Sequence, residues 1–401
     1  MTNNKNDNTL WTPTFIALLV LGTLTSVSFY MINPIISKYA TVLGATLGLA
    51  GVVSGLFSIT ALTARPIGAV IVDRLNKKYV LAAATAIMGL AALGYSVSGN
   101  IVMLILFRVL HGSAFAVSGT ATAALIASVV PRSRLGEGIG YYGMGYIIAT
   151  AIGPNIGILI ADRFGYRINF LSSGIVLLAA AALMTRIPYS RVRTNDGNHK
   201  KIALDDLISL KVLPLAFIGG MFSFTNGIVS SFLVLIGEQR GIANIGLYFT
   251  VLAVFLFVVR PFTGKLCDRK GISFILYPAF ILVMLESLLL SRASVLWIIL
   301  LAAILKAFGN GAAQPTIQST CLKKLDPSKS GVAAATFYIG ADIGQGVGPM
   351  IGGKIAEAYS YELMFYFCIG LLTIGLASFF LYDKIDKKHR RNSETESAET
   401  V

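Results

Sequence analysis

Charge is the scarcest feature of this sequence, and acid is scarcer than base. Only 13% of the 401 residues are Asp, Glu, Lys or Arg, where a soluble domain carries roughly 25%. With 55% hydrophobic residues and a mean hydropathy of +0.74, the chain reads as a membrane protein. Cysteine is nearly absent: Cys267, Cys321 and Cys368 are an odd, scattered trio that argues against a disulfide framework. No Cys/His cluster stands at metal or redox spacing, so neither a metal nor another cofactor is expected. A Gly-x-Ser-x-Gly elbow and a phosphate loop are missing too, which speaks against a membrane enzyme and against an ATP-driven pump.

What the sequence has instead is length of apolar run. Crossing ~30 Å of hydrocarbon takes about 20 apolar residues. Twelve such runs occur, near 14–36, 46–72, 79–98, 101–130, 136–161, 167–187, 212–236, 242–264, 273–291, 295–321, 331–356 and 361–381. The expected fold is all-α, with twelve transmembrane helices. Residues 1–11 are polar and short, with no basic segment leading into a cleavable core, so the first span is expected to be retained.

The chain is also duplicated. Arg65-Pro66 leads into the turn Asp73-Arg74-Leu75-Asn76-Lys77-Lys78, and Arg260-Pro261 leads into Asp268-Arg269-Lys270-Gly271, at an offset of 195. Gly153-Pro154 and Gly157 recur as Gly348-Pro349 and Gly352 at that offset, as do Ala161, Tyr166 and Phe170 in Ala356, Tyr361 and Phe365. Matches at one fixed spacing indicate an internal repeat. Two six-helix bundles are therefore expected, 1–187 and 212–381, joined by a polar cytoplasmic linker at 188–211. The Ser/Glu/Thr-rich tail 382–401 reads as disordered.

The formal charge of +14 is a matter of topology rather than of nucleic-acid binding. Of the 33 Lys and Arg residues, 23 fall on the side holding the basic turns and six on the other. The positive-inside rule then places those turns and both termini in the cytoplasm of a multi-pass cell-membrane protein. The four remaining cations, Arg65, Arg108, Arg260 and Lys306, lie inside apolar runs.

Ionisable groups within a span are costly and mark functional sites by default. Arg108 and His111 are three apart in the fourth span and share a helix face. Lys306 in the tenth span and Asp342 in the eleventh both lie about 16 Å deep by residue count, near the middle of the hydrocarbon, and are expected to meet. Glu286 in the ninth span is comparably deep. A buried carboxylate can take up and release a proton as its cavity dries and rewets, with Asp342 the first choice and Glu286 the second. Gly145, Gly153 and Gly157 stand at helix-contact spacing around Pro154, and Gly348-Pro349 repeats the arrangement. The Ala-rich third span is expected to face lipid.

These residues resemble the major facilitator superfamily, and within it the twelve-span drug:proton antiporter-like exporters. Asp73, Arg74, Lys77 and Lys78 match that family's basic turn, with Ala69 and Asn76 where its pattern has glycine and Ile71 where it has leucine. The second copy matches at Gly264, Leu266, Asp268, Arg269 and Gly271. Arg108 and Gly112 resemble the fourth-span Arg-x-x-x-Gly motif. Gly145, Gly153, Pro154 and Gly157 resemble the fifth-span motif associated with exporters. The resemblance implies two bundles rocking about a midplane site, a turn that latches one conformation, and a proton gradient as the energy source.

The expected activity is proton-coupled export of a small organic molecule by a monomer. No buried acid lies in the first half, whereas Arg108 does, so an anionic or zwitterionic cargo such as an amino-acid-like metal chelator (a metallophore) fits, with Arg108 holding its carboxylate. Broad multidrug efflux, uptake and lipid flipping are the alternatives.

Overall fold

The computed structural model describes residues 9–131, 134–189, 208–326 and 329–399. Among them every regular element is a helix. The first half holds α1 (Pro13–Ile32), α2 (Ile36–Val42), α3 (Leu47–Arg74), α4 (Lys77–Val97), α5 (Ile101–Val129), α6 (Leu135–Phe164) and α7 (Tyr166–Met184). The second holds α8 (Leu213–Gln239), α9 (Leu247–Lys270), α10 (Ile272–Arg292), α11 (Leu296–Phe308), α12 (Asn310–Lys323), α13 (Ser330–Ala358) and α14 (Tyr361–Glu399).

Two of the expected spans are broken helices. Around Pro34, which has no N–H to donate, the first span turns from α1 into α2. The tenth breaks at Gly309, between α11 and α12. Counted through these breaks, eleven spans are long and apolar enough to cross a membrane. The twelfth is α13, as long as most at 29 residues, but glycine-rich and interrupted by Asp342, Gln345, Lys354 and Glu357.

Turn chemistry is written into the sequence. Thr12, Thr46, Asn76 and Asn100 each accept a backbone N–H at the start of α1, α3, α4 and α5. The two basic turns reach the same reversal differently. In the first, Asn76 caps α4; in the second, Gly271 occupies the equivalent place with φ 81°, a conformation that costs glycine little.

Each half has its own core. Phe15, Leu18 and Leu125, and then Tyr95, Phe170 and Leu177, fill the first. Phe232, Tyr248 and Phe365, and then Phe222, Phe280 and Phe379, fill the second. The glycines of the fifth span fit α6 against α1: a Cβ at Gly153 would lie 2.6 Å from the Cβ of Tyr30, and one at Gly157 would strike the Met31 carbonyl. Their copies fit α13 against α8, where Gly340, Gly344 and Gly348 touch the carbonyls of Ala216, Gly220 and Phe224.

Two expectations are corrected here. The third span is more deeply packed than an outer, lipid-facing helix, since 67% of its apolar window is buried and only a stripe that includes Ile87 and Leu90 stays exposed. Its small residues serve close helix packing, Gly89 against Leu178 and Gly94 against Phe107. The tail does not become disordered at residue 382, because α14 runs on to Glu399. Polar ties hold its first turns beyond the span: Asp383 accepts from Ser273 and Tyr277, and Asp386 accepts from Lys324. Most of the linker 188–211 lies outside the described residues.

Candidate functional site

The basic turns mark one end of the molecule, and the contacts between bundles gather toward the other. Lys38 reaches Glu238 at 3.4 Å, and the Gly48 N–H donates to Glu357. Ser54 and Ser231 share a hydrogen bond of 2.6 Å. On the opposite side of the molecule, Asn155 donates to the Thr250 hydroxyl, which donates in turn to the Ala151 carbonyl. The tie nearest the basic end among these is Arg65 to Asp342, with Nε to Oδ2 at 2.6 Å and Nη2 to Oδ1 at 3.2 Å. The Arg65 guanidinium also lies 5.2 Å from the Tyr338 ring centroid. The bundles are thus closed at the end away from the basic turns.

The expected meeting of Lys306 and Asp342 does not occur. Depth along the helix was matched, but direction around it was not. Lys306 points into its own bundle, where Nζ stands 3.6 Å from Glu286 Oε1, and the Tyr248 hydroxyl donates to the same oxygen at 2.9 Å. Both charged side chains are buried, and Glu286 Oε2 has no hydrogen-bond partner. Asp342 points the other way, across the seam to α3. The two carboxylates therefore sit in unlike places, one inside a bundle and one between bundles.

Arg108 is fully buried in the first bundle. Nε donates to the Val53 carbonyl, and Nη2 donates to the Ser54 carbonyl and to Asn33 Oδ1. The guanidinium stacks over Phe57 at 4.6 Å, leaving Nη1 without a partner. Gly112 makes this possible: a Cβ there would strike the Phe57 carbonyl and the Thr60 hydroxyl. His111 bonds through Nδ1 with the Tyr95 hydroxyl at 3.1 Å, and its Nε2 is buried without a partner. In this conformation Arg108 pins α5 to α3 and α1, and it presents one nitrogen rather than a fork.

In the first basic turn, Lys77 donates to the Ala124 carbonyl and Lys78 to the Ile187 carbonyl, both within the first bundle. Asp73 is exposed and has no ion pair or hydrogen bond among the described residues. In the second turn Asp268 does pair, with Lys323 at 2.5 Å.

Sequence reasoning passed over Arg65 and Arg260 as mere cations within runs. The signal that finds them is the repeat itself. Arg65 and Arg260 are equivalent at the offset of 195, and so are Asp342 and Ile147. The first arginine has its acid, and the second has isoleucine in its place.

The family model described as Major Facilitator Superfamily matches residues 18–344 and 215–400. An uncharacterized MFS-type transporter of Methanocaldococcus jannaschii is 25% identical over 395 residues, 95% of this chain and 99% of that protein. The multidrug resistance protein MdtG of Citrobacter koseri is 28% identical over 364 residues, 87% of this chain and 89% of the relative. Among solved structures, a bacterial homolog of the human lysosomal transporter Spinster, in an inward-facing and unoccupied conformation, superposes with a TM-score of 0.71 at 17% identity. That likeness covers 92% of this chain and 96% of the other. With two bundles closed over one end, a duplicated basic turn and a family match across nearly its whole length, this chain belongs to the Major Facilitator Superfamily and is a membrane transporter rather than an enzyme.

Proposed function

We propose that this transporter exports a small organic molecule with an anionic or zwitterionic group, of which an amino-acid-like metal chelator is an example. Export is driven by protons through alternating access. The positive-inside asymmetry puts the basic end and both termini in the cytoplasm of the cell membrane. The bundles then stand open inward, ready to load cargo.

The observation that carries this reading is the Arg65–Asp342 pair. It joins the two bundles, and the Asp342 side chain is only 14% exposed. Ionised, Asp342 holds the guanidinium by two charge-assisted hydrogen bonds. Protonated, it loses the Coulomb attraction and one seam of the closed end loosens. Proton binding and bundle opening are then linked, and by reciprocity opening changes proton affinity. The buried Glu286–Lys306 pair, locked inside one bundle, has no such lever on the seam.

A second reading, broad multidrug efflux, is favoured by the 28% identity to MdtG. Purified protein in liposomes with an imposed pH gradient tests the coupling. Asp342→Asn should still bind cargo but transport it with a flattened pH dependence, because the amide cannot titrate. Wild-type pH dependence in that variant would refute the assignment.

A further inference from the structure

The two seams between the bundles are copies of one another. On one, Gly51 and Gly55 of α3 lie against the carbonyls of Pro349 and Gly346 of α13. On the other, their equivalents Gly246, just before α9, and Thr250 of α9 meet Asn155 and the Ala151 carbonyl of α6. Continuing toward the basic end, the first seam ends in Arg65 bound to Asp342. The second reaches Arg260 where α6 carries Ile147.

Arg260 is a half-buried cation with no acid to hold. Its Nε is buried without a hydrogen-bond partner, and no ion pair forms to it among the described residues. The group within its electrostatic reach is the Tyr30 hydroxyl of α1, which lies beside Tyr146 and Thr150 of α6. The Tyr30 and Tyr146 rings stack edge-on with centroids 5.4 Å apart. Tyr30 is fixed from behind by Gly153, which leaves no room for a side chain there. The Arg260 cation thus faces the Tyr30 phenol between the bundles, with the Tyr146 phenol beside Tyr30, and no ion-paired protein anion joins them among the described residues.

An uncompensated guanidinium inside a span is expensive, and groups of this kind pair with something. We propose that the partner of Arg260 is the cargo: an anionic group, a carboxylate by preference, held by the guanidinium with the Tyr30 and Tyr146 hydroxyls as further donors. The geometry of the other seam supplies the template, since Arg65 already holds a carboxylate in the equivalent place through two nitrogens. This deepens the export reading and rests on it for the direction of transport, but the binding itself does not depend on direction. An aromatic wall beside the cation would suit cargo with an apolar body and an acidic head.

The test uses purified full-length protein in detergent and a matched pair of probes: a dansylated amino acid and its carboxamide, differing in one charge. Binding is read from dansyl fluorescence. Wild type should prefer the carboxylate form by about tenfold or more, the range of a charge-assisted hydrogen bond. Arg260→Gln should erase the preference by weakening the carboxylate alone, Arg260→Lys should keep part of it, and Tyr30→Phe should reduce it. Ile147→Asp supplies the acid the seam lacks and should erase the preference while keeping the arginine. A wild type without preference overturns the proposal, as does an Arg260→Gln variant that keeps it or that loses both probes equally. Whether the export reading fails is judged separately, by proton-driven flux of the carboxamide in liposomes.

Discussion

Removing Glu286 should destabilise the second bundle far more than its single side chain suggests. Its carboxylate accepts from the Tyr248 hydroxyl and faces Lys306, with side chains 1% and 6% exposed for the acid and the lysine. Glu286→Leu strands a cation with no carboxylate beside it and a phenol without its acceptor. Breaking a buried pair from one side costs about 3–5 kcal/mol, and an orphaned buried donor costs about 1–3 kcal/mol more. For a unit of this size 1 kcal/mol moves Tm by about 2–4 °C. A fall of about 10 °C or more in detergent is therefore expected. The double variant Glu286→Leu with Lys306→Met removes both charges at similar volume. Replacing a whole buried pair is often neutral or stabilising, so most of the loss should be recovered. Differential scanning fluorimetry of the four proteins closes the cycle, and liposome flux at two pH values accompanies it. A double variant as unstable as the single one would refute the reasoning. Recovered stability with lost pH dependence would move the proton to Glu286 and away from Asp342.

Topology and packing give two further expectations. Cysteine at Asn76 or at Ser273 should react with an impermeant maleimide only when the cytoplasmic face is open to it, and labelling of either in sealed cells would reverse the orientation. Gly153→Leu and Gly348→Leu should abolish transport while leaving protein in the membrane, because the added side chains collide with Tyr30 and with the Phe224 carbonyl; full activity in either would show that close packing there is dispensable.

The architecture was legible because the bilayer demands it. Span length, the paired basic turns and the Gly-Pro motifs all report on backbone that must cross lipid and pack closely. The breaks near Pro34 and at Gly309 were visible only as composition, since a helix interrupted inside protein keeps the hydropathy of a whole one. Partner choice was the harder matter. Lys306 and Asp342 stand at matched depth, yet a residue count along a helix says nothing of azimuth, and the two look away from each other. Arg108 was singled out because charge in a span is rare, while two of its three partners, the Val53 and Ser54 carbonyls, leave no mark in sequence. Arg260 was legible in principle. It emerges once the repeat is used to ask which partner is missing rather than which residues match.

That missing partner bears on how protons and cargo are coupled. A transporter in which both compete for one carboxylate needs only a single charged site. On the proposed reading the proton-binding acid, Asp342, lies on the α3–α13 seam and the cargo-binding guanidinium, Arg260, on the α6–α9 seam, on opposite sides of the contact between bundles. Direct competition for one group is then excluded for an anion held at Arg260, which does not displace a proton from Asp342. In that scheme coupling passes through the relative position of the two bundles, which both seams bias. Protonation loosens the first seam, whereas an anion bridging Arg260 of α9 to Tyr30 of α1 ties the bundles together across the second. On the proposed exchange, opening of the far end raises the proton affinity of Asp342, so a proton is taken up there and given up on the basic side, and the affinity each ligand loses or gains is set by the other. Two copies of one seam, one supplied with its own acid and the other left for the cargo to complete, give a duplicated fold two different tasks.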